Sequence, residues 1–181
     1  SDSIAGNNYG LYLYQASNNT IFNNFINSSR NSGANTYSHG ILISALSDNN
    51  NITLNSIFVY SRNSKGILLQ DSSNNYFERN NIIVNSDGYS SGYYSSNGTN
   101  STLINNTILS YYASADPEGA VYLYISSGNT LSGNNISIYG GAANNGRGLL
   151  VDGTNKQHYN HSIDNSNLLD NKAMYYFFNN N

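Results

Sequence analysis

The sequence has no cysteine and no tryptophan, and only 9% of its residues are charged. Without cysteine there is no disulfide pattern to read, and cysteine-based metal sites are excluded. Seven Lys and Arg against ten Asp and Glu give a formal net charge of −3. A nucleic-acid partner would need a basic stripe, which this balance does not supply. No apolar run approaches the roughly 18 residues of a membrane span, so membrane insertion is not expected. The chain opens on Ser-Asp-Ser-Ile with no initiator Met and no signal-peptide pattern, which reads as a processed or excised segment. What replaces charge is amide and hydroxyl: 36 Asn and 17 Tyr in 181 residues. That composition fits a secreted or cell-surface protein better than a cytosolic enzyme. It also matches low-complexity chains, but the Asn residues recur at fixed spacing.

The spacing is Asn-x-φ-x-x-Asn-x-φ, with φ apolar. It reads Asn19/Ile21/Asn24/Ile26, Asn50/Ile52/Asn55/Ile57 and Asn75/Phe77/Asn80/Ile82. Ser101/Leu103/Asn106/Ile108 and Asn129/Leu131/Asn134/Ile136 follow, then a degenerate His161/Ile163/Ser166/Leu168. The period is 25 to 32 residues, with all the variation outside the motif. Fixed core spacing with variable loops is the signature of a solenoid. Upstream of each motif a small residue (Gly10, Gly40, Gly66, Gly92, Ala120, Gly148) opens an alternating strand. Its inward positions are Leu11 and Leu13, Ile41 and Ile43, Ile67 and Leu69, Tyr93 and Ser95, Val121 and Leu123, Leu149 and Val151. Ser95 stands where an aliphatic belongs, so the fourth coil is expected to be looser or to give that hydroxyl a partner.

These patterns predict an all-β, right-handed parallel β-helix of about six coils, each of three short strands, forming a single domain over residues 1–181. Coils stack about 4.8 Å apart. Aliphatic columns fill a narrow interior, and Asn columns at the corners bond the identical amide one coil away, where Asn also tolerates left-handed backbone. The repeated N-x-I-x-x-N-x-I after a G-I-x-L strand resembles the β-helix repeats of NosD-like periplasmic and archaeal surface proteins. That resemblance covers nearly the whole chain and implies the fold. Its relatives span polysaccharide lyases, glycosidases, carbohydrate-binding modules and surface-layer proteins.

The ends of the repeat suggest assembly. Ile4 falls where a third-strand residue would, and residues 173–178 read as a first strand without a second. No capping helix is visible. Open coils invite head-to-tail stacking, with Ile4, Met174, Tyr176 and Phe178 as the assembly ends. The outward column of the first strand, Tyr12, Leu42, Leu68, Tyr94, Tyr122, Leu150 and Tyr175, forms an aromatic–Leu stripe suited to lateral packing. The expected function is an extracellular structural protomer that polymerises with itself.

The alternative is a carbohydrate-binding or carbohydrate-degrading module. The variable loops all follow the third strand, so Tyr37, Tyr60, Arg62, Tyr89, Tyr111, Tyr112, Tyr139 and Arg147 gather on one edge that could bind cell-surface glycans. Arg30, His39, Lys65, Asp87, Asp116 and Glu118 lie in the same loops. Glu118 and Arg147, in neighbouring coils, would form at most a surface ion pair. No catalytic centre assembles at the level of motifs. Asp71 and Asp152 sit three coils apart, roughly 14 Å by strand spacing, Ser38-His39-Gly40 lacks an acidic neighbour, and Asp48, Glu78, Asp164 and Asp170 are scattered. No cofactor or metal is expected. Asn-x-Ser/Thr sequons at Asn18, Asn27, Asn51, Asn97, Asn100, Asn105, Asn135 and Asn160 are candidate N-glycosylation sites for a surface protein, and their number is close to the roughly seven that composition yields by chance.

Overall fold

The computed structural model describes residues 7–29, 37–86, 88–112, 118–140 and 147–178. Three sheets built from parallel strands run through it, and each coil adds one strand to each sheet in turn. The first sheet holds Asn7–Tyr14, Tyr37–Ser44, Asn63–Gln70, Ser90–Ser96, Gly119–Tyr124 and Arg147–Asp152. The second holds Thr20–Phe22, Asn51–Thr53, Tyr76–Glu78, Thr102–Ile104, Thr130–Ser132 and Ser162–Ile163. The third holds Phe25–Ser29, Ser56–Tyr60, Asn81–Ser86, Thr107–Tyr112, Asn135–Gly140 and Leu168–Leu169. The winding is that of a right-handed parallel β-helix.

The predicted columns form in register. Ile41, Ile67, Tyr93 and Val121 align across successive strands and are fully buried. Ile52, Phe77, Leu103 and Leu131 make the second wall, and Ile57, Ile82, Ile108 and Ile136 the third. One contiguous core contains all of them. The small openers are required by close approach. A Cβ on Gly40 would lie 2.6 Å from the Gly66 carbonyl oxygen and inside the Ile57 side chain.

The fourth coil keeps its volume by trading sizes. Tyr93 is larger than the aliphatic it replaces, Ser95 is smaller, and Tyr93 packs edge-on against Phe77 at 5.3 Å. Ser95 finds a partner in Ser126, with Oγ atoms 3.0 Å apart. The Tyr93 hydroxyl faces Ser95 and Ser101 without a hydrogen bond of good geometry, and burial raises its pKa.

Two ladders run along the corners. In one, Asn24, Asn55, Asn80, Asn106, Asn134 and Asn167 are linked from each backbone N–H and Nδ2 to the next Oδ1 at 2.8–3.2 Å. The same Nδ2 atoms also donate back to a carbonyl of the preceding coil, as Asn80 does to Ile52 at 2.8 Å. The other runs Asn19, Asn50, Asn75, Ser101, Asn129 and His161. There the Asn129 N–H donates to His161 Nδ1 at 3.3 Å, which leaves the proton on Nε2, donated to the His158 carbonyl at 3.0 Å. The left-handed residue at these corners is the one before the ladder Asn: Asn18, Asn49, Asn74 and Asn100 on one column, Asn23, Leu54, Arg79 and Asn105 on the other.

The structure departs from expectation in the last coil. Its second corner is Asn167 rather than Ser166, and Leu169 rather than Leu168 aligns with Ile136. One extra residue therefore sits in that turn. Residues 173–178 do not continue the first sheet. Lys172–Ala173 turns back antiparallel on Leu168–Leu169 through Asp170 and Asn171, both at positive φ. Met174 and Tyr176 then pack against the core, and the Tyr176 hydroxyl donates to the Tyr159 carbonyl at 2.6 Å. With the short 3-10 helix Lys156–Tyr159, this segment covers the end of the sixth coil. Ile4 lies outside the described residues.

Candidate functional site

Alternation breaks at the opener, where both the glycine and the residue after it face the core (a Cβ on Gly40 would meet Ile57 and Val59, and Ile41 is fully buried), so residues −1 and +2 both point outward. The −1 positions Tyr9, His39, Lys65 and Ser91 align across four strands. The +2 column Tyr12, Leu42, Leu68, Tyr94, Tyr122 and Leu150 also aligns. Tyr175 does not join it, because its segment leaves the sheet. The stripe is less open than alternation alone implies. Leu42 is 6% exposed and Leu68, Tyr94, Tyr122 and Leu150 are half-buried, while Tyr12 is exposed.

Neighbouring tyrosines in a column stack on one another. Tyr94 and Tyr122 lie 4.9 Å apart at 21° between planes. Residues one strand apart place their rings face to face along the axis, so the faces are occupied and the edges and hydroxyls meet solvent. The other face of Tyr94 carries the Lys65 ammonium, 5.4 Å from the ring centroid. This column is therefore not a flat aromatic platform.

Beside it lies a groove of about 360 Å³, lined by Tyr37, His39, Asn63, Lys65, Leu68, Tyr89, Tyr94 and Glu118. That volume falls in the usual range for ligand clefts, about 300–1,000 Å³. Leu68 and Tyr94 come from the sheet. Tyr37 and Tyr89, both 44% exposed, rise on either side. Tyr37 stacks on no other ring among the described residues; Asn7 and Asn63 flank it in register. Lys65 is buried and forms an ion pair with Glu118, which comes from two coils further along. The pairing of Glu118 with Arg147 expected from sequence is thus replaced by one with Lys65.

His39 stacks on Tyr9 at 5.7 Å and is 6% exposed, and its Nδ1 has no hydrogen-bond partner. Burial and the adjacent Lys65 charge lower its pKa to about 4, so it is neutral at pH 7. Burial raises the Tyr94 pKa, with Glu118 adding to the shift.

The tyrosine edge read from the sequence divides in two. Tyr37 and Tyr89 belong to the groove. Tyr60, Tyr111 and Tyr139 align at the end of the third sheet, with Tyr111 and Tyr139 stacked at 5.2 Å. Arg62 and Arg147 are exposed, and Arg147 aligns with Gly119 on the first sheet. The Tyr112 side chain, Arg30, Asp87 and Asp116 lie outside the described residues. Of the sequons, Asn135 is half-buried and the other seven asparagines are exposed. The Lys65–Glu118–His39 group was not picked out as a site in the sequence. Counting Lys65 and His39 back from their openers places both on one row, but Glu118 arrives only through coil stacking. Asp71 and Asp152 remain apart: Asp71 accepts from Asn97 Nδ2 at 2.9 Å, and Asp152 from the Tyr122 hydroxyl at 3.3 Å.

Among known families, the model described as "Periplasmic copper-binding protein (NosD)" matches residues 1–112, more than half of the chain. A comparison with curated proteins returned no match. The donor set does not fit the copper centre that this description implies. Copper sites draw on Cys, Met and His. Cys is absent from the sequence, and the single Met, Met174, packs on the core. Both His161 nitrogens serve the ladder turn. The His158 Nδ1 accepts from the Thr154 N–H at 3.1 Å, and its Nε2 lies 3.1 Å from Asn155 Nδ2. His39 is buried beside a lysine. No group of three His, Cys, Asp or Glu that could hold a metal occurs among the described residues. No helix among them is long and apolar enough to cross a membrane. The register, the ladders and the family match agree on one conclusion: the chain belongs to the NosD family of parallel β-helix proteins.

Proposed function

We propose that this chain is an extracytoplasmic carbohydrate-binding β-helix module that holds a glycan in the groove on the outer face of its first sheet. The observation that carries this reading is the groove itself. It joins an unstacked tyrosine face, Tyr37, to an apolar floor, Leu68 and Tyr94, and to the polar Asn63, Lys65 and Glu118. The C–H face of a sugar packs on an aromatic ring while its hydroxyls need hydrogen-bonding groups at the rim. The family description adds a location outside the cytoplasm. The residues support binding, since the charged pair among the described groove residues, Lys65 and Glu118, is joined in an ion pair. An oligosaccharide array, followed by titration of the hits against Tyr37→Ala, tests it. The expected result is glycan binding that falls at least tenfold in the variant with the far-UV spectrum unchanged. Absence of any glycan hit dismisses the reading.

End-to-end polymerisation is the second reading. In the first described coil Leu11 and Ile21 are half-buried, where the same positions in the second and third coils are fully buried. A preceding coil, from the same chain or a second copy, would cover them. The capped sixth coil weighs against a repeating contact. Light scattering of the purified chain at rising concentration separates the two, and a constant monomer mass removes polymerisation.

A further inference from the structure

We infer that the groove selects neutral sugars over uronic acids, and that Glu118 sets this preference. The inference rests on the carbohydrate-binding reading above and names the ligand class of that site. Its argument is which pole of the ion pair a ligand can reach. The Lys65 side chain is 8% exposed and the Glu118 side chain 21%. Lys65 is further enclosed by the Tyr94 ring. A ligand entering the groove therefore meets the carboxylate first, with the ammonium behind it. Among the described residues the rest of the lining, Tyr37, Asn63, Leu68, Tyr89 and Tyr94, includes no Asp, Glu, Lys or Arg, and the buried His39 is neutral.

A sugar carboxylate brought into this site faces a like charge and finds the nearby lysine already paired. Repulsion between like charges in a partly desolvated cleft is costly. A neutral sugar presents hydroxyl donors, which are the complement of a carboxylate acceptor, and hydrogen bonds to a charged acceptor are the stronger kind.

Removing the charge of Glu118 should do two things at once. In Glu118→Gln the acceptor is weakened and the charge that opposes a sugar carboxylate is removed. The experiment uses the full chain on an array carrying neutral and uronic acid oligosaccharides. Titrations follow with polygalacturonate and its carboxyl-reduced, neutral counterpart, which share linkage and differ in charge. The expected wild-type result is hits confined to neutral glycans and no gain from the carboxylate in the matched pair. Glu118→Gln should lose about tenfold on the neutral hits and gain affinity for the uronate polymer. Lys65→Met, which removes the cation, should keep the neutral preference, and thermal melts of both variants establish that they fold. Tighter wild-type binding to uronates, or an unchanged preference in a folded Glu118→Gln, overturns the inference and leaves the carbohydrate reading standing. No binding to any glycan overturns both.

Discussion

Leu54 holds a left-handed backbone, φ 58°, at a corner where other coils place Asn23, Asn105 and Gly133. A Cβ in that region crowds the following carbonyl, at a cost of about 1–2 kcal/mol relative to glycine or a suitable Asn. Its side chain is 44% exposed, so little burial opposes the strain. Leu54→Asn should therefore stabilise the fold by about 1 kcal/mol and raise the melting temperature by about 2–4 °C. Thermal denaturation followed by circular dichroism reads this, and a lowered melting point would contradict it. The ladder asparagines were legible in the sequence because their spacing never varies over five coils. The identity of the left-handed residue was not, since it precedes each ladder Asn and in the column of Asn23 is Leu, Arg or Gly at three of five positions. At that position backbone geometry is imposed by the stack, against local preference.

A coil is held together by the contact between its opener and its third strand. At Gly66 an added methyl would run into Ile82 and the Gly92 carbonyl. The surrounding ladder hydrogen bonds leave little room to shift, so Gly66→Ala should destabilise by about 1–3 kcal/mol, the usual range for overpacking. The measurement is the urea midpoint. Ala120 marks the exception: the distance from a Cβ on Gly92 to the Ala120 carbonyl is 3.3 Å, against 2.6 Å for the Gly40–Gly66 pair, so the strands there already sit differently. Gly66→Ala with an unchanged midpoint would mean the stack yields more easily than its register suggests. Two elements escaped the sequence for separate reasons. The sixth coil carries an extra residue between Ile163 and Asn167, which moved the assigned corner to Ser166. The Asp170-Asn171 pair between Leu169 and Lys172 is a two-residue hairpin turn with both φ positive. Repeat periodicity drew Ala173 to Phe178 into a further first strand, although the turn signal stood just before it. The groove was hidden for a third reason. Lys65 and Glu118 are 53 residues apart, joined across loops of unequal length.

For the molecule as a whole, acid should be the weak direction. His39 and His161 are both held neutral, by burial first in each case, with Lys65 adding to the shift at His39. In the unfolded chain each takes up a proton near pH 6.5; in the fold His39 resists until about pH 4. Below pH 6.5 the unfolded state therefore binds more protons, and stability falls as pH falls. The contribution is fully present above about pH 6.5 and is lost between there and about pH 4, amounting to at most about 3 kcal/mol for His39. Urea midpoints from pH 7.5 to 4.5 should decline, and His39→Phe should flatten the decline. A midpoint that holds or rises on acidification would refute the assignment of neutral imidazoles.

The second Asn ladder has a direction. Along the row each Nδ2 donates one hydrogen to the Oδ1 of the next coil, from Asn24 to Asn167. Six side-chain amides thus lie head to tail along the axis, and their dipoles add, whereas the alternating peptide dipoles of the strands largely cancel. The solenoid acquires a pole at each end of that row, and each amide polarises the next. At the positive end, Asn167 Nδ2 meets the Asp164 carboxylate at 3.3 Å and the Asp164 carbonyl at 2.8 Å. A negative charge is thereby seated at the terminus where the row of dipoles favours it, as an acid is at the start of an α-helix. Asp164 sits in the same turn as the extra residue that disturbs the repeat in the sixth coil.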